Sequence, residues 1–208
     1  MVMKVFRRIA YLGAVALIAM AIVSCSNEND TVLTSQQTSI SRYLTSSHQP
    51  KLIPESEIAN ALDNEPQFYT NWELDIYRYI ATYYDEGRED KAVVERGGEI
   101  AITYKAYIFS GSKPTMANLY ATNDAATIAE LEAQGLNTSY EWSDEPMVVT
   151  MGREEILPGL ETALIGCVEG DSVEIYLTFD AAYGKHYVGM VPAKSAVVWY
   201  IDIVSITK

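Results

Sequence analysis

The feature that most constrains the fold is a ten-residue run over residues 99–108, in which apolar side chains occur at every second position. The side chains on its apolar side are those of Ile100, Ile102, Tyr104, Ala106 and Ile108. A period of two residues places alternate side chains on opposite faces of a β-strand, whereas a helix would scatter them around its axis. Gly97-Gly98 supplies a turn directly before the run. The sequence therefore predicts a strand here, with one face against a core.

The same kind of pattern returns near the C-terminus. Residues 173–179 alternate between apolar side chains and Glu174, Tyr176 and Thr178, which predicts a strand with one face in water. Apolar and β-branched runs predict further strands within residues 73–84, 145–152 and 197–206.

Two helices are predicted among these strands. Residues 158–166 predict a short helix with Pro158 in its first turn and Gly166 at its end. Residues 110–145 are predicted to be an insertion that carries a surface helix over residues 124–134. An antiparallel sheet with one short helix packed on it is an α+β fold, which we expect to occupy residues 73–208.

The N-terminal residues resemble an export signal rather than part of a fold. A basic start with Lys4, Arg7 and Arg8 is followed by fifteen uncharged residues, 9–23. This is the length of a secretory signal core, and it is short for a membrane-spanning helix. The small residues before Cys25 resemble a bacterial lipobox, which would make Cys25 the lipid-bearing first residue of the mature protein. An ordinary signal peptide followed by a chance cysteine is the alternative.

Residues 26–50 are rich in Ser, Thr, Gln and Asn and are predicted to form a flexible tether. The tether is expected to span residues 25–72, with a short helix over residues 54–62. The acidic stretch at residues 26–30 resembles the export signal of surface lipoproteins in Bacteroides-type bacteria, although a solvated spacer has the same composition. We therefore expect an outer-membrane lipoprotein in a Gram-negative cell envelope, facing either the periplasm or the surface.

Composition excludes two classes of protein. The chain has 28 acidic and 15 basic side chains, and a net charge of −13 argues against binding to nucleic acid phosphates. Two cysteines, Cys25 and Cys167, cannot form a framework of several disulfides. Cys167 is predicted to be a small core residue.

Three segments in a fixed order resemble one known family. They are Glu-Ile-Leu-Pro-Gly-Leu-Glu-Thr-Ala-Leu at residues 155–164, Gly-Asp leading through a strand to Ala-Tyr-Gly at residues 170–184, and Val-Gly-Met-Val-Pro-Ala-Lys-Ser-Ala-Val-Val-Trp at residues 188–199. Their order and spacing are similar to those of the FKBP-type peptidyl-prolyl cis-trans isomerases. With the strand that contains Tyr104, the resemblance covers roughly residues 75–208.

The resemblance implies an antiparallel sheet half-wrapped around one short helix, with an aromatic groove between them. It also implies isomerisation of X-Pro bonds, so the expected partners are proline-containing polypeptide clients among exported proteins. Rotation about this bond crosses a barrier of ~18–20 kcal/mol through a twisted amide that has lost its resonance. An apolar cleft with one or two hydrogen-bond donors favours that form, so no cofactor and no metal are expected.

The resemblance also assigns site residues. The Tyr183 hydroxyl and the Leu157 backbone N–H would donate hydrogen bonds to the substrate carbonyl, and Tyr104 would form a wall beside the reacting bond. The implied substrate-binding side chains are those of Tyr120, Met147, Ile156, Leu160, Tyr187, Val191 and Trp199.

Three positions depart from the family pattern. Ala121 stands where the family has Asp, Met147 where it has Phe, and Leu160 where many members have Trp. A catalytically weak or inactive FKBP-like protein-binding or chaperone lipoprotein is therefore the alternative function. A surface interaction protein that uses residues 110–145 as its contact loop is a third possibility. Tyr183 and its aromatic partners, taken singly, could also be ordinary core side chains.

Overall fold

The computed structural model describes residues 28–53, 68–71, 75–135 and 142–207 of the 208-residue chain. The chain forms two compact units, residues 1–35 and residues 36–208. In the first unit the described residues, 28–35, are helical. The signal segment, Cys25 and the short helix predicted at residues 54–62 lie outside the described residues. Within the described part of the chain, no helix combines the length and the apolar character needed to cross a bilayer.

The described part of the second unit contains one sheet, three α-helices and two short 3-10 helices, Arg88–Asp90 and Met116–Asn118. The first helix, α1, covers residues 28–46 and belongs to this unit from Gln36 onward. The strands are β1 (Phe68–Asn71), β2 (Ile76–Ile80), β3 (Glu99–Ile108), β4 (Leu119–Thr122), β5 (Met147–Thr150), β6 (Ser172–Leu177) and β7 (Val197–Thr207). The other two helices are α2 (Ala125–Ala133) and α3 (Pro158–Leu164).

The sheet has the order β1-β2-β6-β7-β3-β4, and β5 pairs with the other half of β3. Every pairing is antiparallel. The long ladder between β3 and β7 runs from Glu99 opposite Thr207 to Ile108 opposite Val197. The predicted α+β class with an antiparallel sheet is confirmed, and β3 has the bounds that its alternation predicts.

One face of the sheet carries the main core, on which α3 packs. Leu160, Ala163 and Leu164 form the apolar stripe of α3 and are buried in this core together with Cys167. Burial raises the pKa of the Cys167 thiol to about 11, so it behaves as a small apolar side chain. The prediction for Cys167 is confirmed.

The other face of the sheet corrects two predictions. The flexible tether expected over residues 26–50 differs from the structure, since residues 28–46 form α1. Ile40, Tyr43 and Leu44 of α1 are buried in a second core against the sheet. These positions follow the i, i+3, i+4 spacing of an apolar helix stripe, which the polar composition around them conceals. The water-facing side predicted for β6 is wrong as well, because α1 helps to cover this face and Tyr176 is fully buried.

A histidine just after α1, His48, connects the end of this helix to β6. Nδ1 of His48 lies 2.9 Å from the Pro50 carbonyl oxygen, and Nε2 lies 2.9 Å from Oε2 of Glu174 on β6. Both partners are acceptors when Glu174 is ionised, so only the doubly protonated ring satisfies both bonds. Burial lowers the pKa of His48, but the bonds to Glu174 and Pro50 outweigh it and raise this pKa overall.

The segment predicted as an insertion is partly built into the sheet. β4 lies within residues 110–145 and pairs with β3, so residues 119–122 belong to the sheet and not to an inserted loop. The predicted surface helix is confirmed as α2, whose N-cap Asp124 accepts a hydrogen bond from the Thr127 N–H at 2.9 Å. Gly135 follows α2 with a φ of 75°, a left-handed conformation that suits glycine at a helix end.

Candidate active site

Four aromatic side chains meet on the α3 side of the sheet and form what we call the aromatic cluster: Tyr104, Tyr120, Tyr183 and Trp199. Tyr104 lies on β3 opposite Ile201 of β7, two residues from Trp199. This diagonal relation across an antiparallel pair lets large rings touch. The Tyr104 and Trp199 ring centroids are 4.8 Å apart and the planes are tilted by 31°, so the rings partly stack.

Tyr120 joins the two sides of the cluster. Its ring meets Trp199 edge-on at 6.2 Å and Tyr183 edge-on at 6.0 Å between centroids. Such edge-to-face pairs stabilise a fold by about 0.5–1.5 kcal/mol beyond the area that they bury. Tyr104, Tyr120 and Tyr183 are half-buried, whereas Trp199 is buried beneath them. The cluster is thus apolar at its base and partly open to solvent at its tyrosines.

The cluster holds neutral hydrogen-bonding groups. The hydroxyl oxygens of Tyr183 and Tyr120 are 3.3 Å apart and share a hydrogen bond. Burial raises the pKa of both tyrosines, so both hydroxyls stay protonated at neutral pH. The indole N–H of Trp199 is buried, lies near enough to lower the Tyr120 pKa, and finds no acceptor in hydrogen-bond geometry among the described residues. The cluster can therefore donate hydrogen bonds but has no general base.

The start of α3 contributes a backbone donor at the same core. Leu157 is the N-cap of α3, and its carbonyl accepts the first helical bond, from Glu161. Its own N–H has no acceptor among the residues that the structure describes. The Leu157 side chain is half-buried and packs against the same core as the cluster. A ligand carbonyl can therefore use this N–H without breaking an existing bond.

Nine of the ten site residues predicted in the domain lie in the main core or pack against it. Leu160 and Val191 are fully buried in the core beneath the cluster, and Ile156 and Met147 are half-buried against it. Tyr187 is different: its side chain is 75% exposed, in the loop after Tyr183, and it is not part of this core. Tyr187 thus lies outside the core that holds the cluster, and its role as a substrate-binding side chain stays a prediction.

Sequence reasoning missed a buried asparagine that holds Tyr104. The Tyr104 N–H donates to Oδ1 of Asn123 at 2.6 Å. Nδ2 of Asn123 donates in turn to the carbonyls of Ile102 and Glu145, at 3.0 and 3.1 Å. Asn123 thereby replaces the backbone partner that a continuing strand would supply. Nothing in the sequence marked this residue, because its partners are backbone groups.

Among the described residues, no group of three or more His, Cys, Asp or Glu side chains could hold a metal ion. The arrangement can grip an apolar ring and donate hydrogen bonds to a carbonyl.

Comparisons with known proteins find a family model that matches part of the chain. Residues 124–204 match the family model of the FKBP-type peptidyl-prolyl cis-trans isomerases, which is less than half of the chain. The match begins inside the segment predicted as an insertion and includes Tyr183 and Trp199 but not Tyr104 or Tyr120. A comparison with curated proteins gives no match.

Among solved structures, the chain is similar to a crystal structure of the three FKBP domains of wheat FKBP73. The TM-score is 0.48 and the sequence identity is 14%, over 69% of this chain and 51% of the wheat chain. The chain thus spans about half the length of that protein. On the family match, the chain is similar over residues 124–204 to the FKBP-type peptidyl-prolyl cis-trans isomerases.

Proposed function

We propose that the domain is a peptidyl-prolyl cis-trans isomerase that binds the proline ring of its substrate at the aromatic cluster. The observation that carries this proposal is the convergence of Tyr104, Tyr183 and Trp199, joined through Tyr120, on the core against which Leu157 at the start of α3 also packs. An aromatic surface suits proline because it offers a large, stiff apolar area at little cost in side-chain entropy.

The geometry fits the physical demands of this reaction. The twisted amide has less charge separation than the planar one, so an apolar surface such as Trp199 favours it over water. The Leu157 N–H and the Tyr183 hydroxyl can hold a substrate carbonyl while the other part of the peptide rotates. Proton transfer is not required, which agrees with the raised pKa values of Tyr183 and Tyr120.

The direct test is an isomerisation assay on a proline-containing tetrapeptide, using the full chain in detergent. Replacement of Tyr183 by phenylalanine is expected to lower kcat/KM by about three- to tenfold, because one substrate hydrogen bond is lost. The ring of phenylalanine keeps the apolar packing, so the midpoint of thermal unfolding should change little. A wild-type chain that does not accelerate isomerisation would contradict the proposal.

Tyr120→Phe serves as the matched control for this substitution. It removes the hydroxyl that now shares a hydrogen bond with Tyr183, while it leaves the Tyr183 hydroxyl in place. The freed hydroxyl no longer has an internal competitor, so kcat/KM should rise rather than fall. Equal losses in both variants would show that the hydroxyl pair matters only for packing.

A protein-binding or chaperone module of low catalytic activity is the second candidate. It is favoured by the half-buried Ala121, which offers no polar side chain beside the cluster, and by the engagement of the Tyr183 hydroxyl with Tyr120. Suppressed aggregation of an unfolded client, retained in Tyr183→Phe and without isomerase activity, would support this candidate over the first.

We also propose that the protein acts on exported polypeptides in a Gram-negative cell envelope, anchored by lipid at Cys25. The support is the order of basic start, uncharged run and cysteine at residues 4–25. In cells fed labelled palmitate, the wild-type chain should carry the label and Cys25→Ala should not. Label in both chains, or in neither, would contradict the anchor.

A further inference from the structure

The loop that carries Tyr183 is closed by a ring of hydrogen bonds. This loop, residues 180–193, which we call the Tyr183 loop, lies between Phe179 and Lys194. The Lys194 N–H donates to the Gly184 carbonyl at 2.9 Å, and the Gly184 N–H donates to the Phe179 carbonyl at 2.8 Å. These two bonds join the loop ends to a point inside it, next to Tyr183.

A side chain of α1 completes the ring. Nε2 of Gln36 donates to the Lys194 carbonyl at 2.8 Å, and the Phe179 N–H donates to Oε1 of Gln36 at 2.8 Å. The ring thus runs through Gln36, Lys194, Gly184 and Phe179. Gln36 alone contributes to it through its side chain.

The chemistry of this position requires an amide. The ring offers Gln36 one carbonyl acceptor and one N–H donor, so the side chain must donate and accept at once. A carboxylate could accept from Phe179 but would face the Lys194 carbonyl with a second acceptor. An apolar side chain would remove the Gln36 amide from both of these hydrogen bonds. Phe179 is only 2% exposed, so water is a poor replacement.

The ring fixes Tyr183 from both sides. The Ala182 N–H also donates to the Phe179 carbonyl, at 3.2 Å, so the residues before and after Tyr183 bond to one oxygen atom. Lys194 has a φ of 58°, in the left-handed region that a non-glycine residue adopts only when its surroundings hold it there. Loss of the Gln36 bond is therefore expected to loosen the loop end and, through Gly184, the position of Tyr183.

We propose that Gln36 is a positioning residue for Tyr183. Through this residue, α1 contributes to the geometry of the proposed site. This inference rests on the proposed function and extends it to a helix that lies outside the segment matched by the family model. Gln36 does not touch the cluster; it acts through the backbone of the Tyr183 loop.

The neighbouring residue supplies a matched control. Gln37, the next residue of α1, donates through Nε2 to Oδ1 of Asp75, just before β2. Gln36→Met and Gln37→Met therefore each remove one amide from the same helix. Only the first substitution opens the ring around the Tyr183 loop.

The experiment compares these two variants and Gln36→Glu with the wild-type full chain in detergent. In both Gln36 variants, hydrogen exchange at the Gly184 and Lys194 amides should accelerate by about tenfold, and kcat should fall by about three- to tenfold with KM nearly unchanged. Gln37→Met should leave these amides and kcat at their wild-type values, even where its thermal midpoint falls equally.

The outcomes separate this proposal from the proposed function. Exchange at Gly184 and Lys194 that is the same in Gln36→Met and Gln37→Met would overturn the role of Gln36. Faster exchange in Gln36→Met with kcat at the wild-type value would overturn it as well. A wild-type chain without isomerase activity would reject the proposed function, while faster exchange in Gln36→Met would still support the control of the Tyr183 loop by Gln36.

Discussion

Asp171→Ala is expected to lower the free energy of unfolding by about 3–5 kcal/mol, because it breaks a buried ion pair on one side only. Asp171 is 1% exposed. Its carboxylate accepts from Nε and Nη2 of Arg88 at 2.8 and 2.7 Å, which is a bidentate pair. It also accepts from the Thr82 hydroxyl at 3.0 Å and the Val168 N–H at 2.8 Å.

Through these bonds, Asp171 holds three segments of the chain together. They join the residues after β2, the turn at Arg88–Asp90 and the turn before β6. Alanine removes the acceptor for all four donors and leaves the Arg88 guanidinium, whose side chain is 16% exposed, without its counter-ion. The cost of that unpaired charge exceeds the small gain from not burying Asp171.

Urea unfolding followed by tryptophan fluorescence measures this change. Asp202→Ala is the control, since Asp202 lies on the neighbouring strand β7, is exposed and accepts a hydrogen bond from Ser172. An exposed pair contributes about 0–1 kcal/mol, so this control should unfold near the wild-type midpoint. Similar midpoints for the two variants would contradict a structural role for the buried carboxylate.

Gly159→Ala is the second large expected effect, and here two effects of opposite sign compete. Gly159 is the second residue of α3, where alanine would gain about 0.5–1 kcal/mol from helix propensity. A Cβ at this position, however, would lie 2.4 Å from the Ala181 carbonyl oxygen and 3.0 Å from Cδ2 of Leu177. The Ala181 carbonyl already accepts the Gly159 N–H at 3.2 Å, so the two backbones touch directly.

The steric effect is expected to win. Relief of the contact requires movement of backbone, and overpacking of this kind costs roughly 1–3 kcal/mol. Ala181 belongs to the Tyr183 loop, so the same displacement should lower isomerase activity as well as the thermal midpoint. Thr162→Ala, an exposed position on α3 whose hydroxyl donates only to the Pro158 carbonyl of the same helix, tests propensity without a close backbone contact and should not lower activity. A Gly159→Ala chain that is more stable than wild type would contradict the close approach of loop and helix.

Much of the sheet could be predicted because its signals are local. Two patterns that span only a few residues predict β3 and α3. They are the alternation over residues 99–108 and the helix limits at Pro158 and Gly166, and both elements form at these positions. The choice of Tyr104, Tyr183 and Trp199 as neighbours came from the order of family-like segments, and the structure places them together. The assignment of catalytic roles to them stays a prediction.

Contacts between distant residues could not be predicted in the same way. Composition suggested a polar tether where α1 lies, because three buried side chains are few among many polar ones. Because α1 was not predicted, β6 was predicted to have one face in water. In the structure Tyr176 of β6 is covered by residues of α1 such as Tyr43. Asn123 and Gln36 gave no signal as site residues, since their partners are backbone groups and any sequence supplies those.

The sequence by itself determined the strand pattern, the short helix at Pro158 and the apolar side chains available for a cleft, because periodicity and turn residues act over a few positions. Only the tertiary structure decided which face of the sheet is covered by α1, that Tyr187 is exposed outside the main core, and that Gln36 closes the loop around Tyr183. Those outcomes depend on hydrogen bonds and packing across up to 158 positions of chain, which no local pattern encodes.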